Sequence, residues 1–172
     1  MSRWKFVVSL CLSIAVAAAW VSAQQKRATL DARDYIEIQQ LYANYAHALD
    51  KGQGERFAAT FTLDGEFTRG RPAGRATEAR TPLKGTDALT KMGSTGGGRH
   101  FTANLVVTPT PEGATGSCYL LLFNARNQPA TITETAIYED TLAKTRDGWR
   151  FKTRTVWRDD DDISPFRPKP QP

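Results

Sequence analysis

Two residues far apart in the chain, Asp50 and His100, are the best candidates for acid–base chemistry. Asp50 falls in the last turn of a predicted helix, where a carboxylate opposes the helix dipole, so helix stability does not explain it. It is either a solvated turn residue or held for a partner, and His100 is the best partner in the chain. A lone histidine at a strand start is more often structural or solvated. Beside a carboxylate that fixes its tautomer, it becomes a candidate general base near neutral pH.

The helix that ends near Asp50 is predicted at Ile36–Lys51. Asp34 is predicted as its N-cap, and Gly52 as the left-handed residue that follows its end. The second histidine, His47, lies opposite the apolar stripe of this helix and is expected to be exposed. The stripe recurs with the 3.6-residue period of a helix that covers a core, and it consists of Ile38, Leu41, Tyr42, Tyr45 and Leu49.

Between this helix and the late strands, the sequence predicts short elements and loops. Helices are expected at Glu55–Phe61 and, capped by Thr86, at Asp87–Met92, with a strand at Glu66–Arg69 between them. The segment 70–82 is rich in Gly, Pro, Arg and Thr without periodicity, which indicates a loop. The run STGGG at 94–98 indicates a flexible connection.

The late part of the chain predicts an antiparallel meander of four strands: His100–Thr110, Thr115–Ala125, Thr131–Thr145 and Trp149–Arg158. Helices followed by such strands predict an α+β fold, in which a curved, mainly antiparallel sheet wraps the long N-terminal helix. Strict alternation along the strands would place Asn104 on the face of His100. It would place Arg154 on the charged face of the last strand.

Both ends of the chain are expected to lie outside this domain. Met1–Ala23 has the basic start, apolar centre and small C-terminal residues of a secretory signal peptide, so the protein is predicted to be periplasmic or secreted. A membrane anchor is the competing interpretation, but the apolar run falls short of a full span, so no stable anchor is expected after cleavage. The domain is predicted at 24–158, followed by an acidic, Pro-rich tail at 159–172 that is expected to be disordered.

Composition narrows the classes of partner. The formal net charge is +5, and the basic residues are scattered along the chain, so nucleic acid is not an implied partner. Of the two cysteines, Cys11 lies in the predicted signal peptide, which leaves Cys118 without an internal disulfide partner. Two separated histidines and one cysteine do not make a metal site, and no cofactor is expected.

Four motifs in order resemble the SnoaL-like branch of the nuclear transport factor 2-like superfamily. They are IxxLYxxYxxALDxG, FxxDGEF, RHFTANLVV and DGWRFKTR, and together they span roughly Leu30–Arg158. The resemblance implies a cone-shaped α+β barrel with an apolar pocket, and a homodimer formed through the outer face of the sheet. The pocket would take a small hydrophobic molecule.

Within that superfamily, the closest similarity is to scytalone dehydratase, the bile-acid dehydratases and hexachlorocyclohexane dehydrochlorinase. These enzymes use an aspartate–histidine dyad, whose places are taken here by Asp50 and His100. Tyr45 matches a tyrosine of the bile-acid dehydratases, and Arg154 matches a functional arginine of the dehydrochlorinase. The further acid or histidine that the dehydratases carry on the following strand is absent from Ser117–Phe123. Loss of a hydroxyl needs such an acid, whereas loss of a halide or isomerisation needs less help.

The resemblance and the patterns together define a candidate site. Asp50, His100 and Tyr45 are the candidate catalytic residues, although Tyr45 could also be a core residue with a satisfied hydroxyl. Arg154 could contact an anion or could be a solvated or dimer-face arginine. The candidate substrate-binding residues are Tyr42, Phe61, Phe67, Asn104, Tyr119, Arg154 and Trp157, and core packing alone would also explain the aromatic ones.

Two functions from different classes fit these residues. The first is a secreted lyase or isomerase that acts on a small hydrophobic cyclic substrate, with His100 removing a proton and Asp50 stabilising the imidazolium. The second is a non-catalytic protein that binds or carries a hydrophobic small molecule. The Asp50/His100 pair favours the first function, and the missing second acid favours the second.

Cleavage of the signal peptide gives a direct test. We expect the exported protein to begin at Gln24, because Val21, Ser22 and Ala23 provide the small residues before the cleaved bond. Intact-mass spectrometry of the exported protein measures this end. A mature protein that retains Cys11 would contradict the prediction.

Overall fold

The computed structural model describes residues 29–69, 81–126 and 128–161. The predicted signal peptide, residues 70–80 of the predicted loop and residues 162–172 of the predicted tail lie outside the described residues. The helices are α1 (Ala32–Asp50), α2 (Gly54–Ala58) and α3 (Gly85–Gly93). The strands are β1 (Phe61–Thr68), β2 (Leu83–Lys84), β3 (Arg99–Thr110), β4 (Gly113–Asn124), β5 (Thr131–Thr145) and β6 (Gly148–Arg158).

The strands form a single mixed sheet in the order β2-β1-β6-β5-β4-β3. Strands β3 to β6 pair as an antiparallel meander, while β1 joins β6 in parallel. The sheet is open rather than closed into a barrel, and α1 packs on its inner face. The α+β class and the long N-terminal helix are confirmed. Among the described residues, no helix is long and apolar enough to cross a membrane.

The start of α1 differs from the prediction. Its N-cap is Asp31, whose side chain accepts from the amide of Asp34 at 2.8 Å. Asp34 is instead the third helical residue, and its carboxylate accepts from Lys144 Nζ at 2.5 Å and Trp149 Nε1 at 2.9 Å. These two hydrogen bonds hold the pKa of Asp34 below its usual range. The donors come from β5 and β6, so a local pattern could not separate the roles of the two aspartates. At the other end, the left-handed conformation of Gly52 is confirmed by a φ of +65°.

The short helices also differ in their bounds. The second helix ends at Ala58, and Phe61 already belongs to a strand that is longer than predicted. The third helix begins at Gly85, and no side chain caps it, so the prediction of Thr86 as its cap is wrong. Pairing of β1 with both β2 and β6 extends that strand, a tertiary contact that local sequence does not report.

A register shift in β6 reverses the predicted orientation of Arg154. Between β5 and β6, Leu142 pairs with Phe151 and Thr141 pairs with Thr153, so Lys152 is an extra residue. Such a bulge changes which residues face inward. Arg154 therefore points into the protein and is completely buried, which makes its assignment to a charged, solvated face wrong.

A second shift acts on Asn104 in β3. Ala103 pairs with Tyr119 and Val106 with Ser117, which leaves two residues of β3 opposite one residue of β4. Asn104 has a φ of +57° at this bulge, a conformation that asparagine tolerates better than most residues. Its side chain is exposed, so it does not share the inner face with His100.

The inward-facing Arg154 lies at the centre of a buried polar network. Its Nε and Nη2 donate to the two oxygens of Asp140 at 2.8 and 2.7 Å. The Tyr42 hydroxyl also donates to Asp140, and burial raises the pKa of this tyrosine. The guanidinium carbon lies 4.0–4.8 Å from the ring centroids of Tyr42, Tyr45, Tyr138 and Phe151. Hydrogen bonds and aromatic rings thus surround the ion pair, although Arg154 Nη1 has no hydrogen-bond partner among the described residues.

Removal of one member of this pair should destabilise the fold strongly. We expect Arg154→Met or Asp140→Asn to lower the free energy of unfolding by about 3–5 kcal/mol, because the remaining group stays buried without its partner. The double variant should lose less than the sum of the two single variants. Urea unfolding measures these differences. Arg33→Ala, which breaks an exposed pair with Glu37, is the control and should cost less than about 0.5 kcal/mol.

The outer face of the sheet carries an exposed apolar patch, which we call the outer-face patch. Its residues lie side by side on β3, β4 and β5: Phe101, Val106, Tyr119, Leu121 and Ile132. Their exposed fractions run from 37% for Leu121 to 66% for Phe101. Contiguous apolar surface of this kind is typical of protein–protein contacts, which agrees with the expectation of a homodimer.

We expect light scattering to show a dimer at roughly tens of micromolar, the upper range for a weak but specific association. Phe101→Glu should shift the protein to monomer, because it places a charge at the most exposed side chain of the outer-face patch. Leu63→Glu is the matched control, since Leu63 is 87% exposed on β1 outside that patch. A wild-type protein that is monomeric throughout this range would refute the dimer.

Candidate functional site

A cavity of about 290 Å³ lies between the end of α1, the end of α3 and the inner face of the sheet. Its wall is mainly apolar, and its titratable side chains are Tyr45, Arg69, His100, Glu134 and Tyr138. The residues that line it are Tyr45, Leu49, Phe67, Arg69, Met92, Thr95, Gly96, Gly98, His100, Leu120, Leu122, Glu134, Tyr138 and Val156. The volume is near the lower end for small-molecule pockets, so it suits a molecule of one or two rings.

The structure brings Asp50 and His100 together at this cavity. His100 Nδ1 lies 2.5 Å from Asp50 Oδ1, and the His100 amide donates to both carboxylate oxygens at 3.2 Å. The side chains are 13% and 12% exposed, respectively. A carboxylate accepts a hydrogen from Nδ1, so the neutral imidazole carries its proton there and keeps a lone pair on Nε2. His100 lines the cavity, and Nε2 is the ring nitrogen that does not contact Asp50.

Glycines let the two elements of this dyad meet. After α1, the chain turns at Gly52, and an added Cβ at Gly96 would lie only 3.0 Å from the Gly52 nitrogen. The amide of Gly97 donates to the Asp50 carbonyl at 3.3 Å. The segment 94–98, expected as a flexible connection, is thus packed against the end of α1. This contact places the first residues of β3 beside the Asp50 carboxylate.

Tyr45 contributes its ring to the cavity rather than its hydroxyl. The side chain is 1% exposed, and its hydroxyl is buried with no hydrogen-bond partner among the described residues. Burial raises the pKa of Tyr45 and of Tyr138, which also lines the cavity, and the charge of Arg154 partly opposes this. Both phenols therefore stay protonated near neutral pH.

Glu134 is a cavity residue that the sequence patterns did not single out. Its side chain is 7% exposed, and its Oε2 lies 2.6 Å from Arg158 Nη1 and 3.6 Å from Arg69 Nη2. The resemblance implies a second acid on β4, whereas this one lies on β5. Alternation back from Tyr138 and Asp140 along β5 would have placed Glu134 on the inner face, but both faces of that strand carry polar residues.

The remaining predicted residues divide into three groups. Phe67 lines the cavity. Tyr42, Phe61 and Arg154 are buried behind its wall in the core and the polar network. Asn104 and Tyr119 are exposed. Trp157 on β6 pairs with Ile137 on β5, and its Nε1 donates to Glu139 at 3.0 Å. These last three do not line the cavity. His47 is exposed, as predicted.

The described residues contain no group of three His, Cys, Asp or Glu side chains that could hold a metal ion. The one described cysteine, Cys118, is buried in the core, which raises the pKa of its thiol to about 12. It is therefore a neutral thiol at physiological pH, and nucleophilic chemistry has no support at this position.

Comparison with known families places this geometry in context. A family model described as SnoaL-like domain matches residues 30–155. No curated protein matches the chain.

Among solved structures, an NTF2-like protein with a cystatin-like fold from Novosphingobium aromaticivorans is similar, with a TM-score of 0.62 and 23% identity over 72% of this chain and 80% of that one. Aln2 from a Streptomyces species has a TM-score of 0.63 and 26% identity over 76% and 94%. A protein from Catenulispora acidiphila, solved in complex with S-DNPA, has a TM-score of 0.61 and 28% identity over 75% and 96%.

Proposed function

We propose, since the chain belongs to the SnoaL-like domain family, that it is a cofactor-independent lyase or isomerase for a small hydrophobic cyclic molecule. The observation that carries this proposal is the 2.5 Å contact between His100 Nδ1 and Asp50 Oδ1 at the wall of an apolar cavity. The Catenulispora acidiphila relative, solved in complex with S-DNPA, supports the idea that a protein of this fold holds a ligand.

In the proposed reaction, His100 Nε2 takes a proton from a ring carbon of the substrate. The electrons of the broken C–H bond move into the adjacent bonds of the substrate ring. Asp50 stabilises the imidazolium that forms on His100. In an isomerisation, Nε2 returns the proton to a second carbon. In an elimination, the electrons expel a leaving group such as halide, and the proton passes to water. Neither course needs a metal or an organic cofactor.

Isomerisation or halide loss fits the site better than dehydration. Departure of a hydroxyl needs an acid that protonates it. The Tyr45 hydroxyl is buried, and Glu134 is already paired with Arg158 at 2.6 Å, so neither side chain is placed to protonate a leaving hydroxyl. The dehydratase-like activity suggested by sequence motifs therefore has less support from the geometry than the dehydrochlorinase-like or isomerase activity.

A binding or carrier protein is the second candidate, and the same lack of a free acid favours it. In that case, the Asp50–His100 pair would serve to close the end of the cavity and to donate or accept a hydrogen bond. For both candidates, the predicted signal peptide leads us to propose a site of action in the periplasm or outside the cell.

Turnover and binding of a panel of cyclic ketones, halides and alcohols should separate the two candidates. We expect His100→Ala to lower kcat/KM for an accepted substrate by about 10²–10⁴-fold while binding is kept, because a general base contributes about that much. Asp50→Asn should act in the same direction, since an amide can hold the wrong tautomer. Calorimetry measures binding of the same compounds.

His47→Ala is the matched control, because His47 is the other histidine of the chain and is exposed on α1. It should leave both turnover and binding unchanged. Binding to the wild-type protein without turnover of any compound would instead favour the carrier. Turnover that survives in His100→Ala would refute the proposed base.

A further inference from the structure

The carboxylate of Glu134 is a polar group in the apolar cavity wall that the proposed reaction does not use. Both of its ion-pair contacts, with Arg158 and Arg69, are made by Oε2. Its Oε1 accepts no hydrogen bond from the residues that the structure describes. Since Glu134 lines the cavity and Oε1 is not among the fully buried atoms without a partner, this oxygen is open to a ligand.

Strand register fixes where this oxygen lies relative to the base. His100 pairs with Leu122, and Leu122 pairs with Glu134, so the three residues form one row across β3, β4 and β5. Neighbouring strands are about 4.8 Å apart, so the backbones of His100 and Glu134 are separated by about 10 Å. Leu122 lines the cavity between them. A ligand of one or two rings that packs on Leu122 would thus have His100 at one end and Glu134 at the other.

The pairing of Glu134 determines what it can recognise. Glu134 pairs with an arginine 2.6 Å away, and a carboxylate in such a pair acts as a hydrogen-bond acceptor. Its ligand partner must therefore be a donor. The cation of Arg69, which also lines the cavity and lies 3.6 Å from Oε2, disfavours an ammonium group there, so a neutral hydroxyl suits the site better.

We propose that Glu134 Oε1 anchors the ligand by accepting a hydrogen bond from a hydroxyl group. The substrate class is then a hydroxylated cyclic molecule, whose hydroxyl lies at the end opposite the carbon that His100 deprotonates. This inference rests on the proposed function for the location of the ligand, but not on the occurrence of turnover.

Equilibrium binding of matched probes tests the anchor. The probes are 2-naphthol with 2-methoxynaphthalene and cyclohexanol with methoxycyclohexane, since each methyl ether keeps the ring and the oxygen but lacks the hydrogen that can be donated. We expect the wild-type protein to bind the hydroxyl member at least about tenfold more tightly, as expected for a hydrogen bond to a charged group. Calorimetry and quenching of naphthol fluorescence measure the dissociation constants.

Glu134→Gln should reduce this preference to about threefold or less, because a neutral acceptor makes a weaker hydrogen bond. Glu134→Leu should abolish it. Arg158 keeps a bidentate contact with Asp160 at 2.8 and 2.9 Å, so neither variant leaves that arginine without a partner. Glu139→Gln, an exposed position on the same strand, is the matched control and should retain the full preference.

The results separate this inference from the proposed reaction. Equal binding of both members by the wild-type protein, or a preference that persists in Glu134→Leu, overturns the anchor and leaves the proposed base untouched. A preference that is kept in His100→Ala, together with lost turnover, supports both. If the wild-type protein binds none of the probes, the anchor is refuted.

Discussion

The buried ion pair between Arg154 and Asp140 is the constraint on which the rest of the structure depends. Two charges without exposed surface are tolerable only when most of their hydrogen-bonding groups are paired, and here only Arg154 Nη1 lacks a partner among the described residues. Here the carboxylate receives two bonds from the guanidinium and one from Tyr42, and four aromatic rings enclose the cation. Two of these rings, Tyr42 and Tyr45, belong to α1, and the other two belong to strands, so the network joins the helix to the sheet. The position of α1, and with it the position of Asp50, is therefore tied to the network in the core.

The same network decides which chemistry remains available in the cavity. Tyr45 turns its hydroxyl towards the core, so its ring forms the floor of the cavity and presents no donor there. Asp50 lies about one and a half helical turns further along α1 and is the last residue of that helix. A single element thus provides an apolar floor and a polar rim. The charged side chains of Arg154 and Asp140 are buried in the core and do not line the cavity, whereas His100 and Glu134 do.

The sequence allowed the helix, the meander and the Asp50–His100 pair to be predicted, because these follow from periodicity and from motif order. The sequence did not allow us to predict which face of the sheet the side chains of Arg154 and Asn104 occupy. Each lies just beyond or within a bulge, where one inserted residue exchanges the inward and outward faces for the rest of the strand. The pattern of β6 remained plausible in both registers, since tryptophan, threonine and arginine occur on either face. Glu134 was not predicted as a cavity residue for a related reason. Both faces of β5 carry polar residues, so only the cross-strand partners identify the inner face.

The side chains that line the cavity support the proposed reaction, in which one proton moves and no second proton is needed. Burial keeps the phenols of Tyr45 and Tyr138 protonated, and it does so without offering them to solvent. Arginine contacts keep Glu134 as an acceptor. This leaves His100, whose Nδ1 lies 2.5 Å from Asp50 Oδ1, as the described cavity group that the proposed reaction uses to take and return a proton. A single group with that ability can carry a hydrogen from one carbon to another on the same face of a ring. It cannot also protonate a leaving hydroxyl while it removes a proton elsewhere, which is why the reaction that we propose is an isomerisation or a halide loss rather than a dehydration.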